Sequence, residues 1–260
     1  MEVAARAAHS LSTLALLVAG SACAATTDYP NRPLRLVTPV LAGGGADATV
    51  RMLAGKLSET FNQRVVVDNR PGASNIIGTD IVAKATPDGY TILWVSSTHA
   101  INAGVRKGKL PFDPLNDFAP ITLAVDTPLI IVVPAALPAK TLPEFIALAK
   151  AKPGGVSYGS AGQGTSGHLA NELLSYRAGI KMLHVPFKGS PEAIQETIAG
   201  RTAYYMAPLQ SVISQIQGGK VRALGITSGT RADAAPNIAT IAEQGFAGFE
   251  IGRASCRERV

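Results

Sequence analysis

Five short segments of this 260-residue chain combine residue types that can hold a small anion. The first is Ala42, Gly43, Gly44, Gly45 and Asp47, and the second is residues 69–75. The third is Ser96, Ser97 and Thr98, and the fourth is Ser160, Gly162, Gly164, Thr165, Ser166 and His168. The fifth starts at Phe187 and Lys188 and runs to residue 190. Glycine lets a backbone come close to a ligand, and hydroxyls add donors. A helix N-terminus offers free N–H groups with a partial positive charge, so it holds a carboxylate without a buried arginine. Several of these segments open a helix. One such loop alone reads equally well as a tight turn with a capped helix; the signal is five of them in equivalent places.

Catalytic constellations are weaker. No Gly-x-Ser-x-Gly elbow, His-Glu-x-x-His helix or Walker loop occurs. Gly162, Gly164 and Gly167 do match the G-x-G-x-x-G spacing of a dinucleotide loop after a strand. The position about 20 residues on holds Phe187 or Lys188, not the acid that would grip a ribose. An α/β oxidoreductase using that loop is the alternative reading. Ser166 and His168 could imitate a nucleophile and base, but residues two apart on a helix point away from each other. His99 is a candidate pocket residue. His168 and His184 also read as hydrogen-bonding or core groups. The two cysteines are Cys23 and Cys256. The body between them offers no thiol nucleophile, cysteine metal site or disulfide, and neither metal nor cofactor is expected.

The loops are set between alternating strands and helices. Apolar runs at 34–38, 64–67 and 91–95 predict buried strands. Ala46, Val50, Leu53, Leu57 and Phe61 form one helical stripe, and a second helix is expected over 76–85. The pattern restarts with strands at 129–133, 156–159, 182–185, 203–206 and 221–227. Helices between them start near Thr141, Gly167, Ser190 and Pro208. This β-α-β order implies parallel sheets with right-handed crossovers. In such sheets ligands sit beyond the carboxyl ends of strands, where the five segments fall.

The composition, 47% hydrophobic and 16% charged, suits a soluble globular chain with a sizeable core. The formal charge is +6, yet no run of five Lys or Arg exists, which argues against a nucleic-acid partner. Residues 1–24 read as a cleaved export signal: a thin basic start, an apolar stretch over 11–19, then Ala22-Cys23-Ala24 as a small-residue cleavage site. Lipid anchoring at Cys23 is the other reading. The segment 251–260 brings three Arg and a Cys after a body with a different composition. It is expected to be a non-native tail.

Several motifs resemble the substrate-binding proteins of tripartite tricarboxylate transporters, the Bug family. They include Tyr29-Pro30-x-x-Pro33, Ala42-Gly43-Gly44-Gly45-Ala46-Asp47, Asn69-Arg70-Pro71-Gly72-Ala73 and Pro87-Asp88-Gly89-Tyr90. Ser160-Ala161-Gly162-x-Gly164-Thr165-Ser166-x-His168 and His184-Val185-Pro186-Phe187-Lys188-Gly189 continue the match, which runs in order from 29 to 250. The resemblance implies a two-lobed periplasmic-binding fold of type 2, each lobe a mainly parallel sheet flanked by helices. Lobe 1 would comprise 25–124 with 225–250, and lobe 2 would comprise 125–224. It also implies a periplasmic monomer, without enzymatic activity. Such a protein captures a di- or tricarboxylate, an acidic amino acid or an aromatic acid, and gives it to membrane permease subunits or to a sensor kinase. Members of the family usually continue some way past residue 250, so a truncated C-terminal part is expected. Where the family often has Asp, this chain has Ala207, which disfavours a ligand carrying an amino group.

Overall fold

Strand β1 (Leu34–Thr38) is buried along almost its whole length, and its side chains divide between two apolar layers. The computed structural model describes residues 29–251. The expected export signal and all but the first residue of the expected tail lie outside them. β1 is the middle of a three-stranded parallel sheet, between β2 (Val65–Asn69) and β3 (Thr91–Leu93). Leu34 and Leu36 pack with Val50 and Ala54 of helix α1 (Gly45–Phe61), and Leu53, Leu57 and Phe61 complete that cluster. Val37 faces the other way, toward Val82 and Ala83 of α2 (Ile76–Ala83) and toward Phe112 and Phe118. Period-2 alternation in the strand and a helical stripe in α1 account for both contacts.

A short helix, α3 (Thr98–Val105), follows β3 and has no counterpart among the helices expected from sequence. Its buried face is Thr98, His99 and Asn102, so it lacks the apolar stripe by which a helix is recognised. The His99 ring meets Phe118 edge-on at 5.2 Å, and its Nε2 lies 3.0 Å from the Pro114 carbonyl. That imidazole belongs to the apolar layer of the first sheet.

The second sheet has the order β6-β5-β7-β4-β8. Its strands are β4 (Leu129–Pro134), β5 (Ser157–Ser160), β6 (Leu183–Pro186), β7 (Tyr204–Pro208) and β8 (Val221–Ile226). Helices α4 (Leu142–Ala151), α5 (Ser166–Ala178), α6 (Ser190–Ile198) and α7 (Leu209–Gln217) connect them. β5 runs parallel to β6 and β7, but β4 is antiparallel to both its neighbours, β7 and β8. This sheet is therefore mixed, where the element order suggested mainly parallel pairing. Every residue of β4 is buried. Leu129, Ile131 and Val133 face α4 and α5, and Ile130 and Val132 face α6 and α7. A strand apolar on both faces carries no record of its direction, because either direction buries it equally well.

Both sheets lie in one compact unit that begins at Arg32. Beyond β8, Ile241 and Phe249 pack into the cluster of α4 and α5. No helix among the described residues is long and apolar enough to cross a membrane.

Candidate functional site

The carboxyl ends of β1, β5, β6 and β7 open onto one cavity of about 120 Å3. Five helices begin at its wall: α1 at Gly45, α3 at Thr98, α5 at Ser166, α6 at Ser190 and α7 after Pro208. None of these five is capped by its own N-cap side chain. Thr165, at the α5 N-cap, turns its hydroxyl to the Gly162 carbonyl at 2.8 Å instead. A helix leaves its first four N–H groups without intrahelical partners, and each start carries part of the macrodipole's positive end. A small anion in this cavity would stand near several such ends at once, although the Leu209 N–H of α7 already bonds the Pro128 carbonyl at 3.1 Å.

The side chains around the cavity extend this picture. Ser211 Oγ, on α7, is buried with no hydrogen-bond partner among the described residues. The Tyr205 hydroxyl donates to Ser190 Oγ at 2.8 Å, and burial pushes its pKa up to about 12 against a smaller lowering by that bond. It therefore stays a neutral donor. Among the described residues no Asp or Glu lines the cavity, and Lys188 is the one charged residue on its wall. The Lys188 ammonium makes no ion pair among the described residues. A second cavity of about 330 Å3 adjoins the first and shares Pro39, Leu41, Asn75, Ala161 and Lys188 with it.

Close backbone approach holds the walls together. A Cβ on Gly45 would stand 2.7 Å from the Ser211 backbone, so only glycine lets the start of α1 meet the start of α7. A Cβ on Gly189 would stand 2.6 Å from Leu41 Cδ1. Across from them, Ala73, Ser74 and Asn75 form a run of three left-handed residues, with φ of 47°, 54° and 74°. Each such non-glycine residue stores strain, on the order of 1–3 kcal/mol. The turn is held by a hydrogen bond from Ser74 Oγ to the Gln163 carbonyl and by Asn102 Nδ2 on the Ser74 carbonyl at 2.8 Å. The result places Asn75 on the cavity wall and ties the loop after β2 to the loop after β5.

Of the residues proposed from sequence, Gly44, Gly45, Ser96, Thr98, Thr165, Ser166 and Lys188 come together on this wall. Ser97 borders a smaller neighbouring cavity, and Gly162 and Phe187 border the second one. Ala42 and Gly43 are exposed outside the cavity. Asp47 is buried beneath the first loop, where its carboxylate accepts from Gly43 N–H, Arg51 Nε and Asn69 Nδ2, each at 2.9 Å. Burial works to raise its pKa, but the bonds from Arg51, Gly43 and Asn69 hold it below the usual carboxylate value. Asp47 thus fixes the glycine turn. Ser160 and His168 stand behind the β5–α5 loop and hold its backbone at Gly162 and Gly164.

Sequence reasoning did not name Leu129, Tyr205, Met206, Pro208 or Ser211, which line the cavity from β4, β7 and α7. The available signal was Pro208 opening an amphipathic helix with Ser211 in its first turn, the same device as Ser190-Pro191. No glycine marks that junction. Ala207 packs instead among the buried residues facing α6 and α7.

Two α/β layers with a donor-rich cavity at their strand ends, lined by no acidic side chain among the described residues, define a solute-binding protein of the periplasmic type. Residues 49–254 match the model of the tripartite tricarboxylate transporter family receptor. The chain belongs to that family, which is one of substrate-binding receptors and not of enzymes. It is 40% identical over 245 residues to the UPF0065 protein in the tcbD-tcbE intergenic region of a Pseudomonas species, covering 90% of this chain and 73% of that one. The fold superposes on the periplasmic binding protein BugD with a TM-score of 0.84 and 32% identity, covering 89% of this chain and 77% of that one. It superposes equally on the R. palustris protein Rpa4515, solved with adipate, at 0.84 and 31% identity, covering 88% and 77%.

Proposed function

We propose that this protein captures a small organic carboxylate in the cavity and delivers it, in the periplasm, to the membrane permease of a tripartite tricarboxylate transporter. The observation that carries the reading is the convergence of helix starts without an N-cap side-chain bond on a cavity lined by no acidic side chain among the described residues. One carboxylate would take the N–H groups and the Ser211 hydroxyl, and Lys188 would face a second one at the shared edge of the two cavities. An ammonium group on the ligand would find no counter-charge there, and burying one unpaired is costly. Acids without an amine are therefore favoured over aspartate or glutamate. The adipate held by Rpa4515 supports this ligand class. The two sheets with their helices would act as lobes that close on the ligand. An N-terminal signal would direct export.

The test is a thermal-shift and calorimetry panel of succinate, adipate, citrate, aspartate and glutamate on the purified protein. At least one amine-free acid should bind at micromolar concentration and raise the melting temperature. Stabilisation by the amino acids alone would reject the assignment of ligand class. No binding by any of the five would reject the carboxylate reading.

A further inference from the structure

Behind the β5–α5 loop two imidazoles lie face to face. His168 of α5 and His184 of β6 have ring centroids 4.2 Å apart with planes inclined by 29°. Tyr158 of β5 stacks beside both rings, 4.9 Å from His184 and 6.5 Å from His168. The pair grips the loop in two places. His168 Nδ1 accepts the Gly164 N–H at 3.2 Å, which requires that nitrogen to carry no proton. His184 Nε2 lies 2.6 Å from Ser160 Oγ, which in turn accepts the Gly162 N–H at 3.1 Å. The same loop brings Ala161 and Thr165 to the cavity wall and leads directly into Ser166 and Gly167 at the start of α5.

We propose that His168 and His184 are positioning residues that act as one unit on this ligand loop, and that protonating the pair releases the loop and weakens ligand binding. The inference rests on the carboxylate-binding reading of the cavity. A proton on His168 Nδ1 deletes the Gly164 bond outright. Two cationic rings at 4.2 Å would also repel, so the pair holds one added proton at most without parting.

The surroundings favour the neutral pair. Burial lowers the His184 pKa to about 4, with a further push from His168, and burial lowers that of His168 as well. Glu172 opposes both shifts. It stands on α5 with Oε1 4.0 Å from His168 Nε2, and it accepts the Tyr158 hydroxyl. Tyr204 of β7, behind Tyr158, donates to Asn171 Oδ1 and is kept neutral by burial. Tyr158 is likewise held neutral, by burial and by Glu172. The sign follows. The folded value of His184 lies below its ordinary 6.5, so the folded state binds fewer protons than the unfolded one between those limits. Stability and loop order are full above pH 6.5 and fall as the pH drops toward 4.

The experiment compares wild type with His168→Asn and His168→Phe by calorimetry with adipate or succinate at pH 7.5 and pH 5. Ligand protonation is common to all three proteins. Asn can present an acceptor near the Nδ1 position without titrating. His168→Phe should weaken binding about fivefold at pH 7.5, the worth of one ordinary hydrogen bond, and His168→Asn should recover most of that. On going to pH 5, wild type should lose several-fold more affinity than His168→Asn. In the ligand-free proteins, amide exchange should show the Gly164 protection factor falling with acid in wild type and holding in His168→Asn. A wild-type-to-Asn affinity ratio and a Gly164 protection factor that both ignore pH would overturn the proposal while leaving the carboxylate reading intact. Failure of every protein to bind either acid would exclude these two ligands and not the histidine role, which the exchange measurement decides without ligand.

Discussion

Helix α4 shares one kind of bond with two of the helices at the cavity, since Glu144, Asp47 and Glu192 each accept the N–H four residues before them, but it alone of these starts has an N-cap side chain that bonds. At α4, Thr141 Oγ1 accepts the Glu144 N–H at 3.3 Å, Glu144 returns a bond to the Lys140 N–H, and Pro143 sits in the first turn. Reciprocal bonds of this kind satisfy a helix start internally. Around the cavity the N-cap positions of α1, α6 and α7 are Gly44, Gly189 and Pro208, which have no polar side chain to offer. Thr165, which could cap α5, points elsewhere. The difference teaches that the open helix starts are not a shortage of capping residues in the sequence. They are concentrated where the strand ends meet, at the wall of the cavity.

The sharpest way to break the comparison is Gly45→Val. Its Cβ would fall 2.7 Å from the backbone of Gln210 and Ser211, so α1 and α7 must part and the N–H groups lose their common target. Overpacking of this kind costs about 1–3 kcal/mol, and calorimetry should read an affinity loss of about 10- to 100-fold. Unchanged affinity would remove the α1 start from the site.

A smaller effect is expected from giving α1 the cap it lacks. Gly44 has φ −87° and ψ 168°, an extended conformation that suits an N-cap aspartate, with Pro191 Cγ 3.2 Å from the added Cβ. In Gly44→Asp the new carboxylate would take the N–H groups and compete with the ligand. Affinity should drop about tenfold or more, or ~1.4 kcal/mol, while the melting temperature of the ligand-free protein changes little. Equal losses of stability and affinity would point to simple distortion of the turn.

The smallest change is Thr141→Ala. Removing an N-cap hydroxyl costs about 1 kcal/mol of stability, read as a lower denaturation midpoint. Affinity should stay the same, because α4 takes no part in the cavity wall. A loss of affinity here would erase the distinction between the two kinds of helix start.

Much of the architecture was legible because it is written in local periodicity. The stripe from Val50 to Phe61 and the alternation of Leu34, Leu36 and Val37 each need only neighbouring residues to be read. Helix α3 was not legible, because its inward face is Thr98, His99 and Asn102 and its packing depends on Phe112, Phe118 and the Ser74 carbonyl from other segments. The left-handed run at Ala73, Ser74 and Asn75 was hidden for a similar reason: non-glycine residues adopt that backbone only when distant contacts impose it.

For the site, the sequence by itself determined the loops that open helices: glycine, serine and threonine after strands are local signals, and they named Gly44, Gly45, Thr98, Thr165, Ser166 and Lys188. Only the tertiary structure decided which side of each loop meets the cavity. Asp47 turns inward because Arg51 and Asn69 wait beneath the loop. His168 and His184 meet because α5 packs across β7 and β5 and β6 is the next strand of the sheet, and Ser211 arrives because β7 lies between β5 and β4. Apart from Asp47 and Arg51, one helical turn apart, those encounters join residues distant in sequence, and strand order is fixed by how apolar faces are shared across the whole sheet, a collective quantity that no local window of sequence contains.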